Sequence, residues 1–339
     1  MFPTQDLPPA VAVRRMASAY WVSQALHAAA SLGIADRLAS GPKNAAQLAC
    51  ETESHPPSLY RLLRALASVG VFEESEDGQF RLTALGDYLR SDVSESMLAW
   101  VLLLNGPLFR RAWENFAYSV RTGKPSFDEA YGRPAWDYYE ANPEASELFN
   151  RAMTSTAAIR RHAVVAGYDF GGIRVLVDVG GGHGSILATV LAAHPAMRGI
   201  LFDLPHVVSG AGEHFRSAGV ADRWERVGGS FFDSVPAGGD AYLLAVVIHD
   251  WADEPATAIL KTCHRAMTPG AKLLLLEEVI PSGNEPHPGK FDDLNMLVMH
   301  AGRERTAAEF CALFKSAGFA LTRILPTPSQ WSVVEGVRA

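Results

Sequence analysis

The chain reads as an α/β nucleotide-cofactor domain preceded by a small helical, winged-helix-like module, and three stretches carry that reading. The first is Val175-Leu176-Val177-Asp178-Val179-Gly180-Gly181-Gly182-His183-Gly184. A short β-branched run there reads as a buried strand, and the glycines let the backbone turn sharply and approach a ligand. The following run, Ile186 to Leu191, reads as a helix whose N-terminus faces the turn. The second stretch, Gly199-Ile200-Leu201-Phe202, is a further strand ending at Asp203, and 203 − 180 = 23 residues separate that acid from the first glycine. This is the spacing at which a carboxylate meets the ribose hydroxyls of a bound cofactor. The third is a regular α/β alternation from residue 173 onward, with strands expected at 173–179, 199–203, 224–228, 240–248, 271–278, 320–325 and 331–335.

The glycine pattern selects the cofactor. A dinucleotide fingerprint wants glycine or alanine at position 185, where this chain has Ser185; Gly180, Gly182 and Gly184 give G-x-G-x-G instead. A cofactor with a ribose and no pyrophosphate fits better, which points to S-adenosylmethionine (SAM). A nicotinamide oxidoreductase is disfavoured on the same ground.

Ahead of that domain, residues 11–32 carry apolar residues at helical spacing with few charges, so one helix is expected there, needing a partner surface such as a second subunit. Leu59, Leu62, Leu63 and Leu66 make one apolar stripe on a helix opened by Pro56-Pro57-Ser58. Val71-Phe72-Glu73 and Phe80-Arg81-Leu82 flank Glu76-Asp77-Gly78, a hairpin signal. The pattern is that of a winged helix, and charge decides what it does. Between Glu51 and Thr83 stand six acids (Glu51, Glu53, Glu73, Glu74, Glu76, Asp77) and three bases (Arg61, Arg64, Arg81), with the acids at the wing tip. A phosphate backbone would be repelled there, so the module is expected to pack or dimerise. A winged-helix regulator binding a small ligand is the alternative from another functional class. The intervening 101–165 is helical and aromatic-rich, suited to wall a flat apolar acceptor. The expected organisation is residues 1–100 as the dimerisation module, 101–165 as a helical linker contributing to an acceptor pocket, and 166–339 as the catalytic domain.

Composition fits two cores. The chain has 339 residues with 48% apolar content and a net charge of −7, which argues against a polyanionic partner. Cys50, Cys263 and Cys311 are odd in number and set among apolar residues, so they read as reduced core thiols of a cytoplasmic protein. No run is apolar and long enough to span a bilayer.

Polar groups then gather beyond the carboxyl ends of the expected strands. Residues 241–248 are wholly apolar but for Tyr242 and end in His249-Asp250-Trp251; Leu273-Leu274-Leu275-Leu276 ends in Glu277-Glu278. Glu304 lies just ahead of Thr306-Ala307-Ala308-Glu309, a capping box, and so in a loop at a helix start. A histidine near neutral pKa can take a proton from a hydroxyl while a carboxylate holds its tautomer, and the oxyanion so formed is a far better nucleophile toward a methyl sulfonium.

With these residues in place the chain resembles the metal-independent small-molecule O-methyltransferases, a family that includes plant caffeate-type enzymes and bacterial natural-product tailoring enzymes. The resemblance is carried by VDVGGGHG, FDLPHVV, VGGSFFDSVP, IHDWADE, EEVIP and GRERT and covers nearly the whole chain. It implies a Rossmann-like class I SAM methyltransferase domain, an N-terminal dimer, methyl transfer from SAM to an aromatic hydroxyl leaving S-adenosylhomocysteine, and no metal. It implies His249 as general base with Glu277 and Glu304 beside it, and SAM contacts at Gly180, Gly182, Asp203, Ser230 and Phe231. More loosely, Asn105, Trp136, Phe149, Met153, Met296 and Met299 fall in segments that line the acceptor pocket. Two residues depart from the family pattern: Ser230 replaces an aspartate, and Ala245 a lysine found in many members. Methylation of nitrogen or carbon on the same scaffold is the alternative among enzymes.

Overall fold

The computed structural model describes residues 7–339, and the chain divides into two units. Of the described residues, one unit comprises 7–111 and 139–156, the other 112–138 and 157–339. The aromatic segment 101–165 is thus shared between the two units.

In the first unit, strands β1 (Lys43–Asn44), β2 (Phe72–Glu74) and β3 (Gln79–Leu82) form an antiparallel sheet ordered β1-β3-β2. The helix Ala45–Glu51 opens with a capping box in which the Asn44 side chain accepts from Gln47 N–H and the Gln47 side chain accepts from Asn44 N–H. Pro56 opens the helix Pro56–Ala67, which buries Leu59, Leu63 and Leu66 against Ile34, Leu48, Phe72 and Phe80. Residues 11–32 form two helices, Pro9–Ser18 and Tyr20–Ser31, where a single one was expected. The Ser18 hydroxyl donates to the carbonyls of Arg14 and Arg15, and the Ala19 amide bonds back only three residues to Met16. Such back-bonding tightens and bends a helix.

The second unit is built on seven strands: β4 (Val175–Val179), β5 (Arg198–Asp203), β6 (Trp224–Gly228), β7 (Ala241–Ala245), β8 (Lys272–Glu278), β9 (Phe319–Pro326) and β10 (Trp331–Arg338). Their order is β6-β5-β4-β7-β8-β10-β9, parallel from β6 to β8 and antiparallel at β10 and β9. Both faces are covered, which is why the central strands read as unbroken apolar runs. Leu273 and Leu275 of β8 enter one core with helices Asp253–Ala266 and Ala307–Ser316, while Leu274 and Leu276 enter the other with helix Ser185–Ala193. The chain leaves β4 to one side toward β5 and returns on the other at β7. Ligands of open α/β sheets bind in the crevice at such a switch point, beyond the strands' carboxyl ends.

Cys263 is buried, but Cys50 and Cys311 are exposed, which corrects the expectation that all three are core thiols. In their helices Leu48 and Ala49, and Phe310 and Phe314, take the inward positions, leaving the cysteines outward. Among the described residues no helix is long and apolar enough to cross a membrane.

The outer strands are tied by a charged network. Glu335 of β10, only 6% exposed, accepts from Tyr168, Thr322 and Arg323, with Lys272 at 3.6 Å. Burial alone would raise its pKa, but these partners outweigh burial and hold it down at about 2. A depressed carboxylate contributes stability above its unfolded pKa near 4.5 and loses it as pH falls toward 2. Glu335→Gln should therefore cost about 1–3 kcal/mol at pH 7, the lower end reflecting solvent screening at Arg323. In urea titrations the gap between wild type and variant should shrink as pH is lowered from 4.5; a gap independent of pH would remove the ionic contribution.

Candidate active site

Around the switch point, the turn after β4 is held by its neighbours. Gly180 adopts φ 71°, and a Cβ there would lie 2.9 Å from Val247 Cγ2 and 3.7 Å from Phe231 Cε1. A side chain at 180 would thus both strain the backbone and fill the space between the turn and the exit of β7. Gly182 N–H donates to Asp203 Oδ2 at 2.8 Å and Leu204 N–H to Asp203 Oδ1 at 2.6 Å. Burial raises the pKa of Asp203, and these two amide bonds work against it. The carboxylate is thereby fixed over the glycine turn, with lone pairs left for a diol. Ser230 is engaged locally, its hydroxyl accepting from Phe232 N–H at 3.2 Å. Phe231, Phe232 and Trp251 meet edge to face, with centroids 4.9–6.0 Å apart. They make an aromatic corner beside the turn that can take a purine face. This donor set fits SAM: a carboxylate for the ribose, an uncluttered glycine turn and aromatic rings for adenine.

The reacting end lies beyond β7 and β8. Val246 has φ 57°, a strained conformation for a β-branched residue. The reversal turns two successive amides onto Glu277, whose Oε1 accepts from Val247 N–H at 3.1 Å and Ile248 N–H at 2.8 Å. Immediately beyond, the short 3₁₀ turn Ile248–Asp250 presents His249. Its Nδ1 lies 2.7 Å from Glu304 Oε1 and its Nε2 3.4 Å from Asp250 Oδ1. Glu277 and Glu304 are buried, each with one oxygen lacking a partner. Burial would lower the His249 pKa, but Asp250, Glu304 and Glu277 outweigh it and hold it up at about 10. Burial pushes Glu277 up to about 7 against the pull of His249.

Arg305 pins the turn. Fully buried, it donates to the carbonyls of Ile248 at 3.1 Å and Trp251 at 2.8 Å, and pairs with Asp253 at 2.8 Å. Gly302 is required alongside, because a Cβ there would strike the His249 carbonyl, which accepts from Arg303 N–H at 2.8 Å. Thr306 and Glu309 form the expected capping box, fixing the loop that carries Glu304.

The structure thus brings together His249, Glu277 and Glu304, which offer ligand atoms all within 4.8 Å of one another. It brings Gly180, Gly182, Asp203 and Phe231 to the neighbouring turn. Trp136, Met296 and Met299 lie in the second unit, where Trp113 Nε1–H donates to Asn295 on the same helix as the two methionines. Asn105, Phe149 and Met153 belong to the first unit; the Asn105 amide donates to Val101 O, and Phe149 packs on Tyr139. Sequence reasoning assigned no role to Trp251, Arg305 or Asp178. The signal for Trp251 was adjacency to His249. Asp178 is 1% exposed with neither oxygen partnered, and burial with Asp203 nearby pushes it to about 7. A carboxyl in the strand that feeds the glycine turn was its signal.

Comparison with known proteins settles the family. Residues 113–320 match the O-methyltransferase domain and residues 15–92 the O-methyltransferase dimerisation domain. The chain belongs to the SAM-dependent O-methyltransferases. It is 45% identical to the phenazine O-methyltransferase PhzM of Lysobacter antibioticus over 95% of this chain and 94% of that protein. The crystal structure of LaPhzM superposes with a TM-score of 0.92 at 43% identity, covering 98% of this chain and all of the other. NcsB1 from neocarzinostatin biosynthesis, solved with SAM and 2-hydroxy-5-methyl naphthoic acid, gives 0.77 at 34% identity, covering 94% and 96%.

The match to the dimerisation domain supports a homodimer for this O-methyltransferase. Val13, Met16, Tyr20 and Trp21 of the first two helices are 51–66% exposed, an apolar face that water disfavours. Trp21→Asp should therefore shift the protein toward monomer in light scattering. A dimer as tight as wild type would exclude this face from the interface. The variant is a sharper test than deleting residues 1–32, because Ala29 and Ala30 belong to the first unit's own core.

Proposed function

We propose that this enzyme methylates a hydroxyl group of a small aromatic acceptor in the cytoplasm, with His249 as the proton-accepting residue and no metal. The observation that carries the reading is the His249–Glu304 contact of 2.7 Å at the carboxyl end of the strands that hold the cofactor turn. SAM supplies an electrophilic methyl group. Glu304, bonded to Nδ1, leaves Nε2 as the ring nitrogen that meets the acceptor and stabilises the imidazolium that results. Glu277 acts through the backbone, anchoring the amides of Val247 and Ile248 and adding negative potential. The acidic surroundings make His249 a stronger base than free imidazole, which suits removal of a phenolic proton. The free thiols, two of them exposed, support the cytoplasmic placement.

His249, Glu277 and Glu304 lie close enough together to hold an ion, but one oxygen of each glutamate is already engaged, that of Glu304 by His249 Nδ1 and that of Glu277 by two amides, and chelation is therefore part of the test. The test is a screen of labelled SAM against phenolic and polycyclic aromatic hydroxyls, with mass spectrometry of the product, before and after exhaustive EDTA treatment. Turnover should survive chelation; loss of activity with rescue by magnesium would replace the histidine mechanism by a metal-bound phenolate.

A further inference from the structure

The helix Gly289–Met299 carries two successive acids near its start, Asp292 and Asp293. Asp293 Oδ1 accepts from Glu304 N–H at 2.9 Å, so this helix holds the loop that brings Glu304 to His249. Asp292 meets Glu278 at the end of β8, and the two side chains are hydrogen-bonded to each other. Glu278 is only 4% exposed, and its Oε1 accepts from the Gln330 side-chain amide at 2.6 Å. Its Oε2 is buried and takes no bond from any fixed donor of the described residues. A Cβ on Gly289 would strike that oxygen, so the carboxyl lies against the first turn of the helix. The amides of that turn are already engaged. Gly289 N–H donates to His287 Nδ1 at 3.1 Å, Lys290 N–H to His287 O, and those of Phe291 and Asp292 to Pro288 O. A carboxylate oxygen only accepts, so two carboxyl groups bond to each other only when one of them holds a proton.

We propose that Glu278 is a positioning residue: protonated, it donates from Oε2 to Asp292 and locks the helix to the end of β8, so that Asp293 keeps Glu304 against His249. The functional consequence rests on the reading of His249 as the base; the shared proton does not. Burial holds Glu278 well above the ordinary carboxylate range, with Asp292 and Glu304 adding to it, so the pair keeps a proton at neutral pH. Burial and Glu304 raise Asp292 as well, but Glu278, His249 and His287 pull it down, which leaves the proton on Glu278. The other charged groups around the pair are Lys290 and Asp293 on the helix, Glu277 on β8, and Arg160. The last lies over the Trp331 ring at 5.7 Å, and Trp331 stands opposite Glu278 in the β8–β10 register. As pH rises the proton leaves, two carboxylates face each other, and the lock opens. The Glu304 loop is then held to β8 by its backbone bond from Ile280 N–H to Arg305 O, at 3.1 Å, without the hold from the helix.

The test uses the full-length enzyme and two spectroscopic readouts. Infrared spectra in heavy water should show a protonated-carboxyl stretch at neutral pH that Glu278→Gln removes. Asp292→Asn should remove the same band, because an ionised Glu278 then accepts from the new amide. The second readout is the downfield Nδ1–H proton resonance of His249 in its bond to Glu304, assigned by its loss in His249→Ala. In wild type it should fade as pH is raised, while still below the value of about 10 at which His249 itself titrates. Glutamine at 278 accepts from Gln330 and donates to Asp292 at any pH, so in Glu278→Gln the resonance should persist to a pH about one unit higher or more. Asp292→Asn should extend it likewise. A merely structural role would leave its pH range the same in all three proteins. No band in wild type that Glu278→Gln removes, no such resonance in wild type, or an unchanged pH range in both variants each overturns the proposal. Methyl transfer from labelled SAM to phenols is scored separately. Its absence, with both spectroscopic results as expected, would sink the O-methylation reading and leave the Glu278 assignment standing.

Discussion

His249→Ala should lower kcat by ~10²–10⁴-fold with SAM affinity nearly unchanged, because general-base catalysis is worth about that much and the cofactor turn is built from other residues. Glu304→Gln should cost less, since a glutamine oxygen can still accept from Nδ1–H although it no longer stabilises the imidazolium charge. Combining it with His249→Ala should add little, as the orienting group then has nothing to orient. Glu277→Gln should behave differently. Its effect runs through the amides of Val247 and Ile248, so part of it should remain in the His249→Ala background. An alanine variant with near-normal turnover on its true acceptor would defeat the assignment and favour N- or C-methylation or an acceptor that arrives already ionised.

The pH profile follows from the raised pKa of His249. The reactive complex carries one proton shared between acceptor oxygen and imidazole. It forms from a neutral pair or, equivalently, from an ionised acceptor and an imidazolium. With His249 held at about 10, kcat/KM for an acidic phenol should rise through the phenol's own pKa and fall through that of the histidine. For a phenol near 10 the two limbs merge into a maximum at alkaline pH. The rising limb should follow the acceptor when phenols of different acidity are compared, and the falling limb should vanish in His249→Ala. A rising limb fixed near 6.5 for every acceptor would mean that the surrounding carboxylates do not act on this histidine.

Much of this arrangement is legible in the sequence, and what was not has a physical cause. The β4 turn shows itself because a buried apolar strand followed by glycines has few other uses, and Asp203 because one βα unit fixes its distance from that turn. The capping box at Thr306 and Glu309 is a local code and was found as such. By contrast, the hold of Glu277 on the 246–250 turn leaves no trace in residue types, since its partners are backbone amides. Val246 even argues against the conformation it adopts, because tertiary contacts override a β-branched residue's preference. Arg305 looked like one more charge in a polar motif. It is buried because backbone carbonyls and the Asp253 carboxylate converge on it, and only the fold brings them together.

The cofactor side gives the other large effect. Asp203 stands at the end of β5 with its oxygens steered by Gly182 and Leu204, so binding the ribose diol requires little reorganisation. Each charge-assisted hydrogen bond lost is worth about 1.5–3 kcal/mol, so Asp203→Ala should weaken SAM binding by about 3–6 kcal/mol if both hydroxyls bond to it. The variant also leaves the Gly182 amide without its acceptor, loosening the turn that meets the cofactor. Asp203→Asn separates these contributions. Its carbonyl oxygen can still receive the Gly182 amide, so the turn is kept while the charge and one of the two accepting oxygens are lost. Calorimetry with SAM and with S-adenosylhomocysteine should place Asn between wild type and Ala for both ligands alike, since both carry the same ribose. Equal affinity in Asp203→Ala and wild type would remove Asp203 from the site. A loss confined to SAM would mean that this carboxylate acts on the sulfonium charge and leaves the ribose to another residue.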